Sequence, residues 1–452
     1  MPYSRSRSRS RRDSIIYTFY ILVAISALIM VVTVLAFFPP DPISQIQCER
    51  EPPPSLEASC SPHALDRIGG GDWEFDTGRD AQNYGMSRTQ CRKAFPKLFV
   101  ELEKVVEARG GKKIGFEELE EREWREGMVR GLVHRGQLSI LNASSMTHTF
   151  TRAKATLSSL HRALLTTSSP LDPHNNNNNT NPLPDIEFIL STDDFTHGPQ
   201  PIWTYSTRDG DDWAWLMPDF GYWAWPEVGI GSYTSVRTRM AEIEQHQQYH
   251  QGGKIQKLLW RGNLQTAPDL RGKLLDATRG KSWADVKALD WGNAEDMKEN
   301  FLPIEDHCRY MFLAHVEGRS FSGRGKYLQN CRSVFITHPL VWREMHHAAL
   351  VSSGSEQNYI ELAGGGGTFK DLDDVMGTLL DRPELVERIA ENGVRTFRER
   401  YLTPAAEACY WRELVGAYGD MLDFKPEVYT NESHVERRGV TFESWILDGR
   451  VE

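Results

Sequence analysis

The six cysteines of this chain include no Cys-x-x-Cys pair, so the usual spacing of a structural zinc site is missing. There is no Gly-x-Ser-x-Gly and no His-Glu-x-x-His, which argues against the commonest serine hydrolases and zinc proteases. The glycine run Gly364–Gly367 lacks the following Lys-Ser/Thr of a P-loop and is expected to be a connector. Positive charge is in deficit: 52 Lys and Arg against 62 Asp and Glu leave a net −10. General nucleic-acid binding, which depends on neutralising phosphates, is therefore not expected. No internal repeat stands out. Aromatic residues are plentiful instead, with 13 Trp in 452 residues. A chain of this length has material for two lobes with real cores.

The N-terminus is a separate object. Arg5, Arg7, Arg9, Arg11 and Arg12 precede an uncharged apolar run, Ile15–Phe38. At about 1.5 Å per helical residue, such a run spans a ~30 Å hydrocarbon core. It is too long for a signal-peptide core and no clear cleavage site follows. Arginines on the cytosolic side predict a type II signal anchor with residues 39–452 in the lumen of the Golgi or ER. A signal peptide without an evident cleavage site, removed from a secreted protein, is the alternative, and an Arg-Ser nuclear segment is disfavoured by the adjoining apolar run. Cys48, Cys60, Cys91, Cys308, Cys331 and Cys409 all follow that run, and an even count in an oxidising compartment predicts disulfides. Sequons at Asn142, Asn178 and Asn431 fit the same route.

Composition divides the chain further. Residues 1–14 form a basic tail, 15–38 the anchor, and 39–85, with Pro52-Pro53-Pro54 and Gly69-Gly70-Gly71, a stem. Two Rossmann-like lobes follow, over 86–250 and 251–403, and a C-terminal helix and tail over 404–452. Helical patterning is expected from Gln90 to Glu107 and from Phe116 to about Val133. His174–Pro184, with five consecutive asparagines, is a polar insertion. Strands are expected at Asp185–Ser191, Lys257–Trp260, Val286–Asp290, Ser333–Thr337 and Asn358–Leu362. Helices are expected at about 306–317, 325–331, 370–381, 383–400 and 404–422. This alternation predicts an α/β fold with parallel sheets, whose ligands bind at the carboxyl ends of the strands.

One stretch concentrates chemistry. Arg319, Arg324 and Lys326 stand among Gly318, Ser320, Ser322, Gly323 and Gly325. Small residues let backbone N–H groups approach a ligand, and guanidinium forks match phosphate oxygens. A diphosphate is the ligand such a loop suits. Cys308 and Cys331 bracket it and are the best candidate pair; a Cys91–Cys409 bond would tie the last helix to the first lobe, but the remaining connectivity is open. Arg261-Gly262 ends one expected strand and Asp193-Asp194 another. Asp194 is the candidate general base, against the plainer role of capping a turn. Trp203, Trp213, Trp215, Trp223 and Trp225 fall in one segment, and two readings stand for them: a sugar-binding wall on the acceptor side of the cleft, or packing in the core of the first lobe. Asp209 and Asp211 have Asp-x-Asp spacing for a divalent metal, though in a polar turn. His346-His347 lack a carboxylate at ligand spacing and are expected to be structural.

Asp306–Cys331, with Leu259-Trp260-Arg261-Gly262 upstream, resembles glycosyltransferase family 90 over roughly Arg88 to Asp423. The resemblance implies a GT-B fold and an inverting transfer of xylose or glucose from a UDP-sugar to a glycan or protein hydroxyl. It places Asp194 as base and Arg261 and Arg324 on the diphosphate. Arg319, Ser320, Phe321, Ser322 and Gly323 fall to donor binding, and the pairing of Cys308 with Cys331 gains support. No metal or other cofactor is implied, since arginines neutralise the leaving group. Cys409-Tyr410-Trp411 is similar to the family's final helix, which returns to the first lobe. The anchor, the Asn-rich insertion and the ending Gly449-Arg450-Val451-Glu452 depart from the animal O-glucosyltransferase pattern and favour a fungal-type glycan acceptor. Two other classes stand beside this reading: a metal-dependent GT-A transferase using Asp209 and Asp211, and a non-catalytic lumenal sugar-binding protein.

Overall fold

A computed structural model describes residues 73–120, 123–144, 147–166, 183–195, 198–249, 253–364, 369–430 and 436–448, all in one compact unit, Asp72–Glu452. The expected anchor, the stem up to residue 72, Cys48, Cys60 and most of the Asn-rich insertion lie outside them. No helix among the described residues is long and apolar enough to cross a membrane.

The fold is mixed α/β. After a single helical turn at Thr77–Asp80 come helices α1 (Arg88–Ala94) and α2 (Val100–Ala108), strands β1 (Met128–His134) and β2 (Gln137–Ala143), helix α3 (Thr147–Leu165), and strands β3 (Ile186–Ser191), β4 (Ile202–Thr204), β5 (Thr207–Arg208) and β6 (Trp215–Leu216). Then come α4 (Tyr233–Tyr249), β7 (Ile255–Gly262), α5 (Pro268–Thr278), β8 (Ala284–Ala288), β9 (Tyr310–His315), the short α6 (Gly325–Leu328) and β10 (Val334–Thr337). The chain closes through β11 (Trp342–Arg343), β12 (Ile360–Glu361), α7 (Leu372–Asp381), α8 (Pro383–Gly393), α9 (Pro404–Met421) and β13 (Val440–Thr441).

A six-stranded sheet has the order β13-β2-β1-β3-β4-β6, and a five-stranded sheet the order β12-β10-β9-β7-β8. The second is parallel throughout, as strand–helix alternation predicts. The first is not. Its β1 pairs antiparallel with both β2 and β3, and only β3-β4-β6 are parallel. The helix expected over Phe116–Val133 is corrected accordingly. Met128–Val133 is strand, joined to β2 by a turn in which Arg135 and Gly136 both have positive φ, 50° and 76°. Two successive residues in that region make the tight turn whose twist suits a hairpin. The helix expected at 306–317 is also corrected: Ile304–Arg309 is a 3-10 turn, and Tyr310–His315 is the central strand β9. A short apolar run buried on both faces carries no periodicity to separate the two.

Helices α5, α8 and α9 each begin with proline at the first helical positions, where its missing N–H costs nothing. Thr403 caps α9 by accepting from Ala406 N. Helix α9 is buried on nearly every side, its Glu407 and Glu413 paired with arginines, and its apolar residues join the core of the first sheet. Trp411 Nε1 donates to Ser159 Oγ at 2.9 Å, and the Tyr410 and Tyr418 hydroxyls donate to the carbonyls of Leu216 and Pro201. Cys409 bonds Cys91 on α1, and Cys308 bonds Cys331 across the basic loop. A second apolar cluster, including Leu258, Phe312, Ile336, Leu372 and Ile389, fills the space between the parallel sheet and its helices.

Candidate active site

Asp194 stands three residues beyond β3, whose six residues are all buried. Thr192 Oγ1 donates to Gly127 O at 3.0 Å, and the Asp193 carboxylate accepts from Asp194 N at 2.9 Å. The two neighbouring carboxylates then part. Asp193 lies 3.4 Å from Arg319 Nη1, while Asp194 Oδ1 accepts from Arg152 Nη1 at 3.0 Å. Arg152 rises from α3 over the Phe220 ring at 4.7 Å, and its Nε is 3.6 Å from Glu227 Oε1. The backbone of Asp194 is held from two sides. Its carbonyl accepts from Ser206 Oγ at 2.9 Å and from Ser320 Oγ at 3.4 Å. The candidate base and the basic loop are therefore in direct contact. Asp194 keeps 28% of its side chain exposed, enough to meet a substrate.

The loop after β9 turns its members in different directions. Ser320, Phe321 and Ser322 are buried, with the Phe321 ring 6.4 Å from that of Tyr205. Arg319 is exposed over the Phe195 ring. A Cβ on Gly323 would sit 3.4 Å from the Trp225 ring, which itself packs 5.5 Å from Phe220. Trp225, Phe220 and Arg152 thus link the loop to Asp194 by a second route. Lys326 is fully buried, donating to Asp219 Oδ2 at 2.8 Å and to Gly323 O at 2.7 Å. Tyr327 OH donates to Gly221 O at 2.8 Å. These bonds fix α6, and the loop before it, to the segment that follows β6.

Arg324, like Arg271 beside it, has no carboxylate partner among the described residues. Among the described residues its guanidinium has no hydrogen-bond acceptor; it lies 5.4 Å from the Trp260 ring, with Arg271 5.9 Å from the same ring. Burial, with the charge of Arg271, lowers the Arg324 pKa to about 9, and burial lowers Arg271 to about 10. His307 is pushed down to about 3 by burial, with Arg324 and Arg261 adding to it. Gly262 makes room for this arrangement: a Cβ there would come within 2.9 Å of Trp260 and 3.0 Å of Arg324 Nη2. Two guanidiniums stacked on one ring, with no carboxylate beside Arg324 among the described residues, are an arrangement that suits an anion.

Arg261 is placed differently from the expectation of a free clamp. Its Nε donates to Asn300 O, its Nη1 to the carbonyls of Trp260 and Asp285, and its Nη2 to Asp285 Oδ1, all between 2.7 and 3.0 Å. Asp209 is exposed and 3.5 Å from Arg343, which also binds Asp212 at 2.9 Å; Asp211 sits in the same turn. Glu344 does approach the two histidines, contrary to the expectation of no carboxylate: ligand atoms of Glu344, His346 and His347 lie within 4.8 Å of one another. Chain spacing hid this because the three leave a short turn, not a long helix. Both nitrogens of His346 already face Gln329 and Tyr222, and Glu344 lies 3.2 Å from His347. Trp203 and Trp215 are core residues, whereas Trp225 borders the site. Asn142 is exposed beside a cavity of about 450 Å³ lined by Trp124, Arg130 and Arg438, at the edge of the first sheet and apart from Asp194. Asn178 and Asn431 lie outside the described residues.

Sequence reasoning missed Arg152, Arg271 and Glu317. Glu317 is buried at the end of β9, its Oε1 accepting from Val341 N and Trp342 N at 3.0 and 2.8 Å. None of the three belongs to a motif. Arg271 alone had a signal, as an arginine in a first helical turn just after Arg261-Gly262.

The chain matches the model of glycosyl transferase family 90 over residues 178–445, more than half its length. An O-glucosyltransferase rumi homolog of Aedes aegypti is 26% identical over 278 residues, 56% of this chain and 65% of that protein. O-glucosyltransferase rumi of Drosophila melanogaster is 25% identical over 285 residues, 54% and 63% of the two chains. Protein O-glucosyltransferase 1 of Homo sapiens is 23% identical over 266 residues, 54% and 64%. The match spans slightly under two thirds of these relatives' own length. With the motif loop inside the matched segment, the chain belongs to glycosyl transferase family 90.

Proposed function

We propose that this protein is an inverting glycosyltransferase that moves a sugar, glucose or xylose, from a UDP-sugar to a hydroxyl group of a glycan or protein. The observation that carries the reading is the contact between the candidate base and the donor loop, Ser320 Oγ to Asp194 O, with Arg324, which has no carboxylate partner among the described residues, a few residues along. Asp194 takes the proton of the acceptor hydroxyl. The acceptor oxygen forms its bond to the sugar C1 as the bond from C1 to the β-phosphate oxygen breaks, and the electron pair leaves on UDP. Arg324 meets the charge that grows on the diphosphate. The N–H groups of Arg319–Gly323, which have no acceptor among the described residues, supply neutral donors to the same oxygens. Arg261 serves from behind, fixing the end of β7.

In this reading the two sheets are the lobes of a GT-B enzyme, 86–250 carrying the base and 251–403 the nucleotide, with 404–452 returning to the first. The relatives' names favour glucose and an oxygen acceptor. Two disulfides favour a lumenal, oxidising location, and Ile15–Phe38 would anchor the protein in a Golgi or ER membrane. Metal is not needed where arginines and amides neutralise the leaving group. UDP release from a panel of UDP-sugars, with and without EDTA, tests this. EDTA-resistant release selective for one donor is expected; release that requires a divalent metal would move the chemistry to Asp209 and Asp211.

A further inference from the structure

The cavity at the edge of the first sheet has a volume of about 450 Å³, within the range of small-molecule sites, and the chemistry above makes no use of it. Strand β13 covers β2 at Ser139 and Ile140, and the cavity begins at the next two residues, Leu141 and Asn142. Asn142 stands opposite Arg130 of β1, and both line the cavity.

Its walls are polar but balanced in charge. Arg130 Nε donates to Glu187 Oε1 at 2.6 Å, and Arg438 Nη1 to Glu187 Oε2 at 2.9 Å. Glu187 is fully buried, and Arg130 Nη1 lies 2.5 Å from Glu120 Oε1. Two guanidiniums are thus matched by two carboxylates, and an anion would meet no surplus of positive charge. Trp124 packs against the small cluster of Leu119, Met128, Ile189 and Ile202 and also borders the cavity. A neutral ligand with hydroxyl and amide groups and one apolar face suits such walls, because an indole ring takes the C–H face and fixed polar groups take the hydrogen bonds. An N-acetylhexosamine has that chemistry. The chain itself offers a tether for one: Asn142-Ala143-Ser144 is a sequon, and Asn142 is exposed.

We propose that Asn142 carries an N-linked glycan, and that its first N-acetylglucosamine lies in this cavity with its apolar face on Trp124. The proposal rests on the lumenal location proposed above. The Asn142 amide Nδ2 bonds to C1 of the sugar as the bond from C1 to the oxygen of a lipid-linked diphosphate breaks. The diphosphate leaves with the electron pair, and the amide proton passes to the host's oligosaccharyltransferase. Seated in the cavity, the sugar covers the end of β2 that lies beyond β13.

The test uses full-length protein from a eukaryotic secretory host, digested with a peptide N-glycosidase in heavy-oxygen water so that each released glycan marks its asparagine. Expected is a mark at Asn142 that appears slowly in the native parent and quickly after denaturation. Native release should be on the order of tenfold faster in Trp124→Ala, the factor that about 1.4 kcal/mol of lost contact gives. Equal native rates in the parent and Trp124→Ala would overturn the seat. Equal rates in the native and the denatured parent would do the same, which keeps the test decisive if Trp124→Ala does not fold. An unmarked Asn142 beside a marked Asn178 or Asn431 would overturn the whole proposal and leave the lumenal location standing. No mark at any of the three after denaturation would contradict that location as well.

Discussion

Arg324 differs from its neighbours by what it lacks. Lys326 has Asp219, Arg261 has Asp285 and Arg152 has Asp194, but among the described residues Arg324 has the face of Trp260 and no carboxylate. Hydrogen bonds to charged groups contribute about 1.5–3 kcal/mol, so Arg324→Ala should weaken UDP binding roughly 10- to 150-fold, as isothermal titration would read. Arg152 makes the opposite prediction. It touches the base, not the loop, so Arg152→Ala should leave the UDP dissociation constant alone while kcat falls on the order of 10- to 100-fold, the scale of a misplaced catalytic group. Arg152→Lys, which returns a cation, should recover part of that loss. The sequence made Arg324 legible because glycines and serines surround it. Arg152 was not legible, because an arginine in the middle of a helix looks like any solvated arginine until its partner is known.

At the scale of elements, the junction of β9 with the donor loop carries a buried acid. Burial raises the pKa of Glu317 from 4.5 to about 7, against the hydrogen bonds from Trp342 N and Val341 N that oppose the rise. The folded state therefore holds this proton more tightly than the unfolded chain does. The stability so gained is complete below pH 4.5 and is lost as pH rises through about 7, up to ~3 kcal/mol at 1.36 kcal/mol per unit. Glu317→Gln cannot lose a proton, so its stability relative to the parent should increase from pH 5 to pH 8. Denaturation midpoints at the two values measure this, and parallel profiles would refute it. The loop itself was legible from Gly318 to Gly325, but its scaffold was only partly so. In Tyr310–His315 the residues Met311, Phe312, Leu313 and Ala314 run together without alternation, as in a strand covered on both faces, so the sequence does not separate this strand from a helix.

At the scale of the molecule, the parallel sheet follows from strand–helix alternation, while the first sheet needs a hairpin that the sequence signals weakly. Arg135-Gly136 is not a usual pair for such a turn, and β1 instead owes its state to its neighbours β2 and β3. Long-range closure was legible only as an option. Cys409 reaches Cys91 across 318 residues, and no local pattern fixes a pairing at that distance. Another long-range contact sets Asp194, after β3, against Ser320, after β9, which is the premise of the proposed chemistry. Asp194→Asn tests it most directly, because the change is nearly isosteric and removes the carboxylate's charge and with it the capacity to accept a proton. The account predicts that transfer from the preferred UDP-sugar falls by about 10²- to 10⁴-fold while UDP binds as in the parent. Full turnover in Asp194→Asn would contradict it.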